Sequence, residues 1–437
     1  MKKIIKVLFS FLLVALFATG CVQGNTSSSS ASSSASSSTN EFVDYVSNFK
    51  LDMNSSRKKI EATVHSYIDG DTVHFNANDP AFDKGIAKAR FLGVNTPEST
   101  GQVEPWGKAA SNFTKETLKE AKSIILESEA SEWEVDSTGE RHLLWIWYKT
   151  ETSDYRLLNL ELLQEGYSIA NNIGKYAYKD VLQSAFNQAL KSNLRVNGSA
   201  KDPNYDYGRP SQVTLRYVRE NLAEHGYEGE GTIIDKRISF EALVTYVAGN
   251  TIYVEDYDEE TEMSYGMPIF LGMSPTSAVL NVAKVGNIAD FCGVITYSEN
   301  FGVQVSDIKI MPFDPTYKYN TNLISSNNPV VATEITGETL INDGSKIQGT
   351  FVSMKNLVVT NTYTTKDGDS KGAITITCKT EDNKTITVRT SVLTDENDEI
   401  VKETVFKGKT IDVIGIVDYY NNAYQVAVHI YSNIDIH

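Results

Sequence analysis

Cysteine is scarce in this sequence of 437 residues: Cys21, Cys292 and Cys378 are the whole complement, and no CxxC occurs. A zinc site built on cysteine pairs is thereby excluded. Histidine is thin as well, with six scattered residues (65, 74, 142, 225, 429 and 437) and no HxxxH pair, so the helical histidine pair of zinc hydrolases is missing. Positive charge is in deficit: 40 Lys and Arg face 56 Asp and Glu, for a net charge of -16. By segment the balance is +3 over 1–40, -6 over 41–208 and -13 over 209–437. That distribution argues against a broadly basic nucleic-acid coat, most strongly in the C-terminal half. The apolar run from Val7 to Phe17 is short for a membrane span, which takes roughly 20 residues.

What is present begins with that short run. Lys2, Lys3 and Lys6 surround it, and Ala18-Thr19-Gly20-Cys21 ends it. A charged start, an apolar core and small residues make an export signal. A cysteine directly after Ala-Thr-Gly resembles a bacterial lipobox, which implies that Cys21 is the lipidated first residue of the mature chain. Its acyl chains then anchor the protein to the extracellular face of the cell membrane. Residues 25–40 are nearly pure Ser with Ala, Thr and Asn. Such a stretch cannot bury a core and reads as a flexible tether.

From Lys58 a β pattern sets in. Ile60, Ala62 and Val64 alternate with polar residues, Asp69-Gly70-Asp71 turns, and Thr72–Phe75 returns. A polar loop (Asn76–Lys88) leads to an expected strand Ala89–Val94, which Pro97 stops. Trp106, Ala110, Phe113, Thr117, Ala121 and Ile124 recur at helical spacing. A strand at Leu143–Tyr148 and helical stretches at Leu157–Glu165 and Val181–Leu194 follow. Short strands with interposed helices predict a small β-barrel capped by helices.

Five motifs, in order, resemble the thermonuclease (staphylococcal-nuclease-like) family: Ile68-Asp69-Gly70-Asp71-Thr72-Val73, Arg90-Phe91-Leu92-Gly93-Val94-Asn95-Thr96-Pro97-Glu98, Gly107-Lys108-Ala109-Ala110, Gly139-Glu140-Arg141 and Asn159 through Gly166. The resemblance covers about 58–200 and implies a five-stranded OB-type barrel with three helices. It also implies a calcium-dependent endonuclease acting on DNA and RNA, with 3′-phosphate products. On the matching positions, Asp71 and Asn95 ligate the metal through their side chains and Thr96 through its carbonyl, while Asp69 stands just behind them. Glu98 is the general base, and Arg90 and Arg141 bind phosphate oxygens in the fork geometry a guanidinium offers. Taken singly, Asp69 and Asp71 read as turn residues, Arg90 as a surface ion-pair partner and Glu98 as a helix-start acid.

The sequence departs from the family in three places. Asn95 stands where Asp is common, so one negative charge is missing from the metal site. Thr138-Gly139-Glu140-Arg141 lacks the nucleotide-contacting tyrosine of the best-known member, and an acid adjoins the arginine. The family's later tyrosine falls near Asn172, with Tyr167, Tyr176 and Tyr178 as replacements.

After Gly208 the texture changes. A helix at Val213–Glu224 precedes strands with glycine turns, and Lys284–Tyr297 repeats at Lys407–Tyr419. Upstream, Ala242–Val247 with Thr251–Glu255 corresponds to Gly349–Val352 with Leu357–Thr360. Two small antiparallel OB-like barrels follow. The expected layout is a signal over 1–21, a tether over 22–57, the nuclease-like domain over 58–204 and a connecting helix over 205–226. The first OB-like repeat then spans 227–312, a linker 313–334 and the second repeat 335–437. Tyr246, Tyr253, Tyr297 and Tyr419 suit base stacking, whereas the acidic run Asp256, Asp258, Glu259, Glu260 and Glu262 suits a solvated loop. A spacer or protein-contact role for the barrels is therefore weighed against nucleic-acid binding. Cys292 and Cys378 read as two buried thiols, with a disulfide as the alternative. Against the enzyme stands a non-catalytic binding module; the survival of Arg90, Glu98 and Arg141 separates the two.

Overall fold

The computed structural model describes residues 42–210, 212–224, 237–298, 302–312, 314 and 316–437. The signal and lipidation site over 1–21 and the serine-rich tether up to residue 41 lie outside the described residues. The tether expected to run to residue 57 ends earlier. Tyr45–Asn48 forms a helical turn, Val46 is buried, and the backbone N–H of Tyr45 donates to Gln164 Oε1 at 2.7 Å. Val46, Phe49 and Leu51 are apolar enough to join the first core.

The first barrel is laid down by β1 (Lys59–Asp69), β2 (Thr72–Asn76), β3 (Ile86–Phe91), β4 (Ser123–Glu127) and β5 (His142–Lys149). The sheet order β3-β2-β1-β4-β5 closes through a parallel β3–β5 pair. Most of β5 is buried on both faces, from Leu144 to Tyr148, because one face fills the barrel and the other lies under helices. Asn159 fixes that covering: its side chain accepts from the Ile146 N–H and donates to the carbonyls of Leu92 and Leu144. Trp145 and Trp147 are fully buried there, and truncating either to Ala is worth about 3–5 kcal/mol.

Helix α1 (Gly107–Glu120) is shorter than its periodicity predicts. Ile124 belongs to β4, not to the helix, because the chain turns extended at Ala121. Likewise β3 starts at Ile86, inside the expected polar loop, and ends at Phe91; only Val94–Asn95 resumes pairing, with Ile169–Ala170. Helices α2 (Leu158–Gln164) and α3 (Lys179–Lys191) complete this part. The connecting helix shrinks to α4 (Leu215–Glu220), since Val213 instead bridges to Gln102.

Two further barrels repeat the same strand order. The first uses β6 (Arg237–Ala248), β7 (Thr251–Asp258), β8 (Met263–Phe270), β9 (Ile288–Ser298) and β10 (Gly302–Ser306). The second uses β11 (Phe351–Thr364), β12 (Ile374–Lys379), β13 (Thr385–Thr390), β14 (Thr410–Tyr420) and β15 (Ala423–Val428). Each closes with strands three and five parallel. The repeated motif is strand four of each copy. Gly293 and Gly415 face strand five so closely that a Cβ would sit 2.4 Å from Val305 Cγ1 in one and from the Ala427 carbonyl in the other. The upstream correspondence fails: Ala242–Val247 and Thr251–Glu255 are two strands of a hairpin, whereas Gly349–Val352 and Leu357–Thr360 fall along one long strand with a bulge. The expected linker also contributes Asn322–Ser325, which pairs with β9.

Tyr246 and Tyr253 are buried where the two barrels meet, with Tyr246 stacked on Phe351 at 5.8 Å between centroids, so neither offers a face to a base. Arg219 of α4 pins the same joint. Its guanidinium donates to the Gly266 carbonyl at 2.7 Å and to the Gln348 carbonyl at 2.8 Å, and burial lowers its pKa to about 10. Cys292 and Cys378 are buried, free thiols in different barrels.

Candidate active site

The turn between β1 and β2 and the segment after β3 meet at one end of the first barrel. Two glycines let them meet. A Cβ on Gly70 would lie 2.9 Å from Thr96 Oγ1 and 3.0 Å from Ala110 Cβ, and one on Gly107 only 2.0 Å from the Glu98 carbonyl oxygen. Helix α1 thus starts hard against the backbone of Glu98. Thr114 ties the helix to the turn by donating its hydroxyl to the Gly70 carbonyl at 2.6 Å.

Asp71 is fully buried. One carboxylate oxygen accepts from Arg90 Nη1 and from the Thr72 hydroxyl; the other accepts from the Thr96 N–H at 2.9 Å. Burial raises its pKa, and the Arg90 charge opposes that rise. Arg90 Nη2 donates to Asn95 Oδ1 at 2.5 Å, so one guanidinium spans both side chains expected to ligate a metal. The Asn95 N–H in turn donates to the buried Ser168 hydroxyl at 2.8 Å. Asp69 is held by the Gly70 N–H at 2.7 Å and the Ser99 hydroxyl at 2.6 Å. Burial pushes its carboxyl up to about 6, against those hydrogen bonds and with the help of Glu98. Glu98 stands exposed at the rim, and its carboxyl shares a hydrogen bond with that of Asp69. The Glu98 pKa is also raised, chiefly by the burial of its carboxyl against this cluster.

Asp69, Asp71, Arg90, Asn95, Thr96 and Glu98 therefore converge. Arg141 stands apart from their hydrogen bonds. In the parallel β3–β5 register Arg90 pairs with Leu143, so alternation puts Arg141 on the face that carries Arg90. Its Nε donates to Asp136 Oδ2 at 2.7 Å. Burial raises the Asp136 pKa, but hydrogen bonds from Thr138 and Arg141 outweigh it and hold the carboxyl at about 2. Asp136 was not singled out in the sequence, although Asp136-Ser137-Thr138-Gly139 is a readable turn. The recorded partner of the arginine is Asp136, not the adjoining Glu140.

Among the described residues, no group of three or more His, Cys, Asp or Glu side chains is set to hold a metal ion. The oxygens gathered here are mixed instead: two carboxylates, an amide and the hydroxyl and carbonyl of Thr96. Thr96 Oγ1 is buried without a hydrogen-bond partner. An oxygen-only set with one orphaned oxygen fits a hard cation such as calcium.

The proposed tyrosine replacements are engaged. Tyr178 donates to Glu127 at 2.8 Å, Tyr176 sits edge-on to Trp145, and Tyr167 stacks on Phe113 beneath Arg195. The acidic run is not a free solvated loop. Arg216 pairs with Asp258 at 3.2 Å and Glu260 at 2.5 Å, and Glu262 pairs with His65 of β1 at 2.9 Å. Asp258 and Glu260, with Glu98, Thr100 and Arg216, line a cleft of about 220 Å³ beside the site.

A family model described as staphylococcal nuclease homologue matches residues 88–196, a segment holding Arg90, Asn95, Thr96, Glu98 and Arg141 but not Asp69 or Asp71. The chain is similar to a thermonuclease of Staphylococcus intermedius, 31% identical over 137 residues, which are 30% of this chain and 73% of that protein. It is similar to a thermonuclease of Staphylococcus hyicus at 31% over 163 residues, 36% of this chain and 88% of the relative.

Proposed function

Because the chain belongs to the thermonuclease family, we propose that it hydrolyses phosphodiester bonds in DNA and RNA with calcium as cofactor. The observation that carries this reading is the convergence of Asp69, Asp71, Arg90, Asn95, Thr96 and Glu98 at one barrel end. Asp71, Asn95 and the Thr96 carbonyl would hold the cation, with Asp69 behind them. Bound there, calcium supplies fixed positive charge against the anionic phosphate oxygens.

The side chains do the rest. Glu98, at the rim, accepts the proton of an attacking water, and its raised pKa makes it a stronger base than a free carboxylate. Arg90 and Arg141 hold the phosphate oxygens and the charge that builds as the P–O bond breaks. A guanidinium stays charged at any working pH, so it stabilises charge rather than donating a proton. Water attacks directly, no covalent enzyme intermediate forms, and the 5′-oxygen leaves and takes a proton from solvent, so the products carry a 3′-phosphate and a 5′-hydroxyl.

The same proposal includes an address. Cys21 is lipidated and anchors the enzyme outside the cell membrane, with the serine-rich segment as a spacer and the two C-terminal barrels free to contact other proteins. The competing reading, a binding module without catalysis, lacks the usual signature of lost active residues: Arg90, Glu98 and Arg141 are all in place. Digestion of DNA and RNA with calcium or chelator, in wild type, Glu98→Ser and Arg141→Gly, tests the mechanism. Each variant should lose at least about 10²-fold in rate; activity unchanged by both sinks it.

A further inference from the structure

Strand three of the second C-terminal barrel carries an arginine at the place where the nuclease barrel carries Arg90. Arg90 is the penultimate residue of β3, pairs with Thr72 on strand two and with Leu143 on the parallel strand five. Arg389 is the penultimate residue of β13, pairs with Thr375 on strand two and with Ala427 on strand five. The side-chain neighbours agree as well: Arg90 Nη1 donates to the Thr72 hydroxyl at 3.5 Å, and Arg389 Nη1 to the Thr375 hydroxyl at 2.7 Å. In the first C-terminal barrel this position is Ile269, between Ile252 and Val305, and all three are buried.

The two arginines differ in one respect. Arg90 is neutralised by Asp71, whereas Arg389 donates to two hydroxyls, Thr375 and Thr365 at 2.9 Å, and no salt bridge to it is recorded among the described residues. Its half-buried guanidinium lines a cleft of about 680 Å³ with Tyr363 and Tyr420, each about half exposed (51% and 49%). The β14–β15 turn, Asn421-Asn422 with both φ positive, holds Tyr420 at the cleft edge. A guanidinium that donates to hydroxyls rather than to a carboxylate, in one cleft with two open aromatic rings, offers charge for one phosphate and stacking for neighbouring bases.

We propose that this cleft binds a segment of single-stranded nucleic acid, with one phosphate on Arg389 and bases on Tyr363 and Tyr420. Asp367 and Asp369 line the same cleft. They repel further phosphates, so the site takes one; the -13 charge of residues 209–437 keeps binding weak, and the single arginine–phosphate contact weakens further as salt rises. The cleft has no counterpart of Asp71, because the strand-two residues flanking Thr375 are Ile374 and Ile376. It holds strand without cutting it, and supplies the enzyme with a second grip on its substrate.

The inference rests on nucleic acid being the substrate class, and its readout is binding, not hydrolysis. A fluorescein-labelled 12-nucleotide oligothymidylate is titrated by anisotropy against the full chain in low salt with chelator. Arg389→Ala and Tyr420→Ala should each weaken binding about fivefold or more. The slope of log K against log salt should become shallower by about 0.7 in Arg389→Ala, the value for one single-strand phosphate. The same factor should be lost on adding Arg389→Ala to Arg90→Ala, which shows that the nuclease site is not the source. Unchanged affinity and slope in Arg389→Ala overturn the proposal, as does equal displacement of the oligonucleotide by a sulfated dextran of matched charge. Tyr420→Ala, a surface change, decides alone if Arg389→Ala does not fold. Calcium-dependent hydrolysis measured in parallel separates the two readings: binding that depends on Arg389 without hydrolysis sinks the nuclease reading only.

Discussion

The guanidinium of Arg90 bridges the Asp71 carboxylate and the Asn95 amide oxygen, the latter at 2.5 Å. The guanidinium proposed to hold phosphate is thus engaged by the two side chains proposed to hold the metal. If calcium is held by Asp71 and Asn95 as proposed, it would share these oxygens with Arg90, whose guanidinium is bonded to both. Asn95→Asp adds a negative charge to the contested pair. It should tighten calcium binding about tenfold, a difference of about 1.4 kcal/mol, as read by calorimetry; an affinity no better than wild type counts against Asn95 as a ligand.

Arg141 is held by Asp136 through a 2.7 Å hydrogen bond to Nε, and its terminal nitrogens are the groups proposed to meet phosphate. Asp136→Asn keeps the shape and removes the charge. The expected result is a roughly tenfold lower kcat with KM little changed, because the arginine loses its aim more than its affinity. Glu140→Gln, next to the arginine but not its recorded partner, should leave both constants as they were. Steady-state kinetics on a short oligonucleotide compares the two; a larger effect at Glu140 reverses the assignment.

Gly107 carries no functional side chain, yet it packs against the backbone of Glu98. A methyl group there would stand 2.0 Å from the Glu98 carbonyl, so Gly107→Ala must push Glu98 aside. Ala is the better helix former by about 1 kcal/mol, which offsets part of the overpacking cost. The variant should therefore stay folded by circular dichroism while its rate falls by about 10²-fold, the penalty of displacing a catalytic group by an ångström. Full activity means that Glu98 tolerates the shift and is not the base.

The side-chain cluster at one end of the first barrel was legible because its parts are local. Asp69, Asp71 and the Arg90–Glu98 segment are short motifs whose turn chemistry and order survive in one dimension. Asp136 was missed because a turn aspartate carries no mark of what its carboxylate will hold. The boundary errors share one cause. Ile86 and Ile124 sit at polar-looking edges whose strand state is decided by pairing, with β2 for Ile86 and with β1 and β5 for Ile124. The acidic run and the tyrosines misled for the same reason. Charge and aromaticity are visible in sequence, but the partners that neutralise Asp258 and Glu262, or cover Tyr246 and Tyr253, come from α4, β1 and the opposite barrel. Arg389 was overlooked because one arginine in an acidic half draws no notice until the strand register sets it over Arg90.

Buried and partly buried carboxylates give the C-terminal barrels a pH dependence of known sign. Burial raises Glu255 to about 7, with the Phe351 N–H opposing, Asp256 to about 7, and Asp290 and Asp418 each to about 6. Each folded pKa lies above the unfolded value, so the stability linked to these groups is complete below about pH 4 and is lost as pH rises through 6 to 7. His74 and His142 of the first barrel and His429 of the last pull the other way, since partial burial lowers their pKa and acid forces them to charge. A single neutral replacement isolates one contribution. In wild type Glu255 is charged and buried at pH 8 and protonated at pH 5; in Glu255→Gln the side chain is neutral at both, and its amide oxygen can still accept from the Phe351 N–H at 3.2 Å in the native pair. Glu255→Gln should accordingly unfold at a higher temperature than wild type at pH 8, by an amount of the order of 1–3 kcal/mol, and at nearly the same temperature at pH 5. Scanning calorimetry in chelator at the two pH values measures both gaps. A variant less stable than wild type by the same margin at pH 5 and pH 8 shows that Glu255 does not titrate at this joint.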